Sequence, residues 1–192
     1  MRKVLVLLVA PLLFSSTRVD VVGENFSLSA IQTRKMSNVA IQPKPNFVAC
    51  FSNAPFRVRN FFTNQLVIDC IEIGRANGIP TSVMLAQAAL ESGWGESLVS
   101  RECNNIFGIR GYGSIEKKCY RSGRCYRAYK SHRQSIEDYA EFIKQHISWA
   151  IGKDAKSYAI ALRKARYSSS SDYDKKIIAL IQRWNLEQFD KN

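Results

Sequence analysis

The sequence predicts an α+β domain, mainly α, with helices arranged around one small β-lobe. Three observations lead to it. Apolar residues recur at helical spacing around residues 62–76, 85–91, 136–147, 155–165 and 173–184. Between about residues 106 and 129 that period disappears, and Gly108, Gly111, Gly113 and Gly123 alternate with Tyr, Cys and Ile. A chain of 192 residues is also long enough to bury one good core.

The chain opens Met1-Arg2-Lys3, runs apolar over residues 4–14 and turns to Ser15-Ser16-Thr17. A basic start, a short apolar run and small residues have the form of a secretory signal peptide over residues 1–17. The apolar run is too short for an ordinary spanning helix, and no other segment suits a bilayer. The bland alternatives are a buried N-terminal strand or an uncleaved anchor. Residues 18–60 show no sustained period, and Pro43, Pro45 and Pro55 among Ser, Asn and Lys indicate an extended linker or arm. The compact domain is expected over residues 61–192.

A first helix over 62–76 carries Leu66, Cys70 and Ile73 on one face. Asn77-Gly78-Ile79-Pro80 breaks it, and Pro80 suits the first turn of the next helix. That second helix buries Leu85, Ala86, Ala89 and Leu90, while Gln87 and Glu91, four apart, share its flank. Gly93 and Gly95 stop it, because glycine enters the left-handed region without penalty. Downstream of the β-lobe, Ser135-x-x-Asp138 has the form of a capping box. It opens a helix with Ile136, Tyr139, Ala140, Ile143 and Ile147 inward. A short helix follows at 155–165. Ser171-x-x-Asp174 is expected to cap the last one, with Tyr173, Ile177, Ile181 and Trp184 inward.

Glu91 is the most informative residue. A carboxylate in a last helical turn feels the negative end of the helix dipole. If Trp94 folds over it, it also loses water. Both effects raise its pKa toward the range a general acid needs near neutral pH. The bland alternative is a surface glutamate at a helix end.

Gln87-x-x-x-Glu91-Ser92-Gly93-Trp94-Gly95 followed by Asn104-Asn105-Ile106-Phe107-Gly108-Ile109 resembles the core signature of the bacterial peptidoglycan endo-β-N-acetylglucosaminidase family. That family includes autolysins and the hydrolase domain of flagellar rod-assembly proteins. Tyr126-Arg127-Ala128-Tyr129-Lys130-Ser131 with Ser135 to Asp138-Tyr139 resembles a second family block. Arg166-Tyr167-Ser168 through Asp172-Tyr173 and Lys176-Ile177 resembles a third. The match runs from about residue 61 to the C-terminus, in the family's order. The resemblance implies a lysozyme-like helical domain with a cleft between it and the β-lobe. It implies an exported, bacteriolytic hydrolase acting on peptidoglycan glycan strands at the β-1,4 bond after N-acetylglucosamine, in the periplasm or outside the cell at the wall.

Glycoside hydrolysis needs protonation of the leaving oxygen and a partner for the oxocarbenium-like centre. Glu91 matches the family's catalytic glutamate. The second acid of many members, in a "T-x-E-Y" segment, has no counterpart in Lys117-Lys118-Cys119-Tyr120. Glu116 is the nearby acid that a shift along the strand would bring in; otherwise the 2-acetamido group of the sugar acts, or Glu116 has no role. Gln87, Trp94, Asn104, Asn105, Tyr129 and Tyr167 are read as substrate-binding. For Asn105 an internal turn cap is the alternative, and for Trp94 a place in the core. Tyr167 matches a family tyrosine near the catalytic glutamate, but Ser168-Ser169-Ser170-Ser171 replaces the family's Ala-Thr-Asp-Pro after it.

The formal charge of +12 favours anionic partners. Arg110, Lys117, Lys118, Arg121, Arg124, Arg127, Lys130 and Arg133 form a basic run with tyrosines interleaved and Glu116 as the sole acid. Such a pattern fits single-stranded nucleic acid, a groove facing the acidic polymers of a wall, or a solvated face. The export signal and the resemblance favour the wall and argue against nucleic acid. Cys119 and Cys125 flank a short hairpin that brings their sulfurs within reach of a disulfide. Cys70 reads as core, and five cysteines leave at least one thiol free in the expected monomer. No cofactor is expected. There is no Cys-x-x-Cys pair, and His132 and His146 are not at zinc-ligand spacing.

Two other functions compete. A lytic transglycosylase also ends a helix with Glu-Ser and needs one acid, but carries a Gly-Leu-Met-Gln type segment where this chain has Asn-Asn-Ile-Phe-Gly. A non-catalytic glycan-binding or assembly protein would explain the missing second acid.

Overall fold

A computed structural model describes residues 47–111, 116–120 and 122–191, all within one compact unit. The signal peptide expected at residues 1–17 and most of the expected arm lie outside the described residues.

The arm expected to run to residue 60 gives way earlier to packed structure. A 3-10 helix, Phe47–Phe51, and helix α1, Phe56–Phe61, precede the first expected helix. Phe51 and Val58 are buried, and Phe51 stacks on Phe62 at 4.5 Å. Elements of one or two turns are too short to show a period, so their aromatic anchors are not visible as a pattern.

Helix α2 spans Asn64–Asn77, starting where Thr63 accepts a hydrogen bond from the Leu66 amide and ending at left-handed Gly78. Helix α3, Thr81–Ser92, is the centre of the domain. Val83, Met84, Leu85, Ala86, Ala88 and Ala89 are all fully buried, so this helix is apolar on every side rather than on one stripe. Its alanines admit neighbours closely: α2, the two C-terminal helices and the 3-10 turn Leu186–Phe189 all pack on it. Pro80 at its N-cap offers no side-chain acceptor. Asp190, 108 residues away, takes that role, accepting from the Ser82 amide at 2.8 Å and the Ser82 hydroxyl at 2.6 Å.

An unexpected short helix, α4, spans Leu98–Cys103 and is capped by Ser97. The β-lobe is an antiparallel pair, β1 Lys117–Cys119 and β2 Cys125–Arg127, with Cys119 opposite Cys125. Their sulfurs are bonded. Residues 109–111 run alongside β2: the Gly111 amide donates to the Cys125 carbonyl and the Arg127 amide to the Ile109 carbonyl.

Helix α5 spans His132–His146 and is capped by Ser131, not by the expected Ser135. Ser135 lies one turn inside, its buried hydroxyl accepting from the Ile106 amide. Asp138 is held by Arg127 and Tyr129 instead of by a helix end. Helix α6, Ala155–Lys164, is capped by Asp154. Helix α7, Tyr173–Arg183, starts at Asp172 without a side-chain cap. The expected cap from Ser171 and Asp174 fails because Arg163 of α6 draws Asp174 away at 2.9 Å. The fold is mainly helical with one small hairpin, as the sequence predicts. Among the described residues no helix is long and apolar enough to cross a membrane.

Candidate active site

Glu91 occupies the last turn of α3, two residues before left-handed Gly93 ends the helix. Its Oε1 accepts a 2.6 Å hydrogen bond from the Tyr173 hydroxyl. That hydroxyl in turn accepts from Gln87 Nε2 at 3.0 Å, and Gln87 Oε1 accepts from the Tyr139 hydroxyl. Gln87, Tyr139 and Tyr173 are buried, and Glu91 is partly exposed. One chain of donors, Tyr139 to Gln87 to Tyr173, thus terminates on one carboxylate oxygen. The other oxygen, Oε2, lies beside Gly108, where an added Cβ would stand 3.5 Å away. Gly108 is left-handed, with φ +66°, a conformation that L side chains rarely adopt, so the backbone rather than a lack of space favours glycine there.

Burial raises the Glu91 pKa above the ordinary glutamate value, and the hydrogen bond from Tyr173 offsets part of that rise. Burial, followed by the charge of Glu91, also pushes the Tyr173 hydroxyl far up, so it acts as a donor and stays neutral.

Trp94, read from the sequence as a candidate cover for the carboxylate, has its ring engaged with other aromatic groups. Trp94 adopts a left-handed φ of 63°, and its ring packs edge-on against Phe61, Phe62 and Trp184, with the Arg57 guanidinium 5.7 Å from its centre. Tyr173 and the loop at Gly108 contact Glu91.

The other expected binding residues are mostly committed to the protein itself. Gln87 is fully buried and touches Tyr173, so it positions the site rather than meeting a substrate. Asn105 is buried, and its amide donates to the Ile109 and Arg127 carbonyls while its oxygen accepts from the Ile109 amide. It is an internal brace of the loop that carries Gly108. Asn104 caps α4 in a left-handed conformation and donates to the Tyr129 carbonyl. Tyr129 donates its hydroxyl to Asp138 at 2.6 Å, tying the segment after β2 to α5. Tyr167 donates to the Phe107 carbonyl at 2.9 Å and stacks on Tyr173 with ring centres 6.0 Å apart. It therefore braces both the Gly108 loop and the tyrosine that holds Glu91.

Glu116 directly precedes β1. Its carbonyl accepts from the Ala128 amide at 2.8 Å, which fixes its place on the hairpin, and its side chain is exposed. No hydrogen bond joins it to Glu91 among the described residues. Three surface cavities of about 490, 360 and 350 Å³ open elsewhere, and Glu91 lines none of these three. Among the described residues no group of three His, Cys, Asp or Glu side chains gathers as a metal site would require.

The basic run is partly neutralised. Lys118 pairs with Glu102 at 2.8 Å, Arg127 with Asp138 at 2.7 Å and Arg133 with Asp69 at 2.6 Å. Much of its charge thus serves to dock the hairpin and α5.

Tyr173 is the site residue that sequence reasoning missed. Its spacing with Ile177 and Ile181 marks it as core, and it is buried. The signal available was chemical: a buried tyrosine needs a partner for its hydroxyl, and the partner here lies on another helix.

Residues 68–186, well over half of the chain, match the family model described as Glucosaminidase, mannosyl-glycoprotein endo-beta-N-acetylglucosaminidase. The exo-glucosaminidase LytG of Bacillus subtilis is 30% identical over 129 residues, covering 57% of this chain and 46% of that protein. Two solved structures resemble the fold. The catalytic domain of the autolysin Auto from Listeria monocytogenes aligns with a TM-score of 0.58 and 28% identity, covering 71% of this chain and 89% of that one. The glycoside hydrolase domain of Salmonella typhimurium FlgJ aligns with a TM-score of 0.56 and 26% identity, covering 68% of this chain and 90% of that one. The chain spans less than half the length of the curated relatives it matches.

Proposed function

From the premise that this chain belongs to the glucosaminidase family of glycoside hydrolases, we propose that it cleaves the β-1,4 bond after N-acetylglucosamine in peptidoglycan, with Glu91 as general acid. The observation that carries this reading is the desolvated Glu91 carboxyl held by Tyr173. A glutamate with a raised pKa keeps a proton to higher pH, as a donor to a leaving glycosidic oxygen must. Tyr173 occupies Oε1, so the transferable proton belongs on Oε2, the oxygen beside Gly108.

The rest of the chemistry follows from what a glycoside requires. As the bond to the leaving oxygen breaks, positive charge grows at the anomeric carbon, and a second group must meet it. Glu116 is the acid of the hairpin available for that role; its carboxylate has no ion pair or hydrogen bond among the described residues that would have to be broken. Replacement of Glu116 by Gln is expected to lower turnover with the fold intact. Unchanged turnover would pass the role to the 2-acetamido group of the substrate. Export belongs to the same reading and is supported by the basic and apolar opening of the sequence.

The test is product analysis on purified sacculi. Reducing N-acetylglucosamine ends released by the wild type and absent with Glu91→Gln are the expected result. Anhydro-muramic ends would make the chain a lytic transglycosylase. Wall binding without any product would make it a glycan-binding protein.

A further inference from the structure

The third of the surface cavities, of about 350 Å³, includes Trp94 and Gly95, which follow the helix end that carries Glu91. Phe56, Phe61 and Trp94 form its apolar wall, and Arg57, Arg101 and Asn60 supply its polar groups. None of these residues is used by the site around Glu91. Phe56 is 70% exposed, an unusual setting for a large apolar side chain. Arg101 is exposed; its charge acts on Glu102, and neither it nor Asn60 makes a side-chain hydrogen bond or close ion pair among the described residues. Arg57 lies over the Trp94 ring at 5.7 Å and approaches Glu96, which also lines the cavity, at 3.9 Å; the Arg57 and Glu96 side chains are more than half exposed. His132 also lines the cavity, and burial lowers its pKa below the ordinary histidine value.

The chemistry of this cavity points away from a sugar ring. Stacking a pyranose needs an open aromatic face, and the Trp94 ring is already approached by Arg57 and by three aromatic neighbours. What remains is a small apolar wall with two guanidinium groups, an amide and one carboxylate, Glu96, beside it, which leaves the charged lining net positive. Guanidinium is the side chain best suited to grip a carboxylate in two parallel hydrogen bonds. The ligand that matches is a short peptide with a free carboxylate next to a small apolar side chain.

We infer that this cavity binds the acidic stem peptide that peptidoglycan strands carry, and so selects peptide-bearing over bare glycan. The inference rests on the proposed substrate, and it adds a recognition site separate from the one that breaks the bond. Such a site acts by holding the strand while Glu91 reacts, so it lowers KM and leaves kcat nearly unchanged.

The test uses the full chain and two substrates: intact glycan strands, and the same strands stripped of peptide by an amidase. Arg101→Ala and Phe56→Ala are compared with wild type and with a remote surface control, Lys164→Ala. KM on peptide-bearing strands is expected to rise about tenfold for both variants, in line with loss of a charge-assisted hydrogen bond or an apolar contact. No change is expected on stripped strands. An equal rise on both substrates, or no rise on either, would overturn the inference. A binding measurement separates it from the catalytic proposal. The Glu91→Gln protein is titrated with an alanine-terminated tripeptide as free acid and as C-terminal amide. The acid is expected to bind at least about tenfold tighter, a preference that Arg101→Ala removes. Equal affinities for acid and amide would end the inference even if the enzyme cuts glycan as proposed. Selective acid binding by a chain that cuts no glycan would instead end the catalytic proposal and leave the cavity assigned.

Discussion

The Tyr173 hydroxyl meets Glu91 Oε1 at 2.6 Å across 82 residues of sequence, joining the start of α7 to the end of α3. This bond has a sign that can be tested. A donor to a carboxylate favours the ionised form, so Tyr173→Phe raises the Glu91 pKa further. The alkaline limb of kcat/KM is expected to move to higher pH, with turnover reduced because the acid is less firmly aimed. The variant also leaves Gln87 Nε2 buried without an acceptor, at a cost of about 1–3 kcal/mol in unfolding free energy. A pH–rate series on the variant checks both the direction and the loss. A limb that moves to lower pH would remove Tyr173 from the control of Glu91.

Glu91→Gln separates activity from stability. Loss of the general acid is expected to lower turnover by about 10²–10⁴-fold on glycan. The folded-state pKa of Glu91 is raised, so its contribution to stability is fully present below the unfolded value near 4.3 and is lost as pH rises through the folded value. Glutamine has no such loss. The stability advantage of wild type over Glu91→Gln is therefore expected to shrink between acidic and neutral pH. Urea unfolding of both proteins across that window measures it. A constant difference would show that Glu91 titrates normally.

Asn105→Ala tests the loop rather than the chemistry. It removes two donated bonds and one accepted bond inside a buried turn. A loss of about 2–4 kcal/mol in stability is expected, as several buried partners are left unpaired. Denaturant melts give the value. Stability within a few tenths of a kcal/mol of wild type, joined to a large rise in KM, would restore Asn105 as a substrate contact.

Gly108→Ala places a methyl group beside Glu91 Oε2 and forces alanine into a left-handed conformation. The backbone strain is about 1–2 kcal/mol. Turnover is expected to fall more than stability alone explains, because the new methyl stands where the proton leaves the acid. Comparing kcat with the melting temperature separates the two effects.

The five longer helices and the hairpin were legible in the sequence because their apolar spacing and glycine content are local properties. The same holds for Glu91, whose place before Gly93 follows from helix-stop chemistry. What sequence could not show depends on pairing at a distance. Ser135 and Asp138 have the form of a capping box, but the Ile106 amide and Arg127 claim them first. Asn104 and Asn105 look like sugar-binding amides until their backbone partners appear. Tyr173 and Tyr167 share a segment, and only the packing of α7 on α3 decides which of the two meets the carboxylate. Phe47, Phe51 and Phe56 sit in elements too short to show a period.

The Asp190 cap on α3 also bears on how the molecule comes into being. A chain made from its amino end offers Ser82 long before the carboxylate that holds it, since 108 residues separate them. The leading end of the central helix is therefore secured by a contact of long sequence separation, the kind whose loop closure costs a folding chain the most entropy.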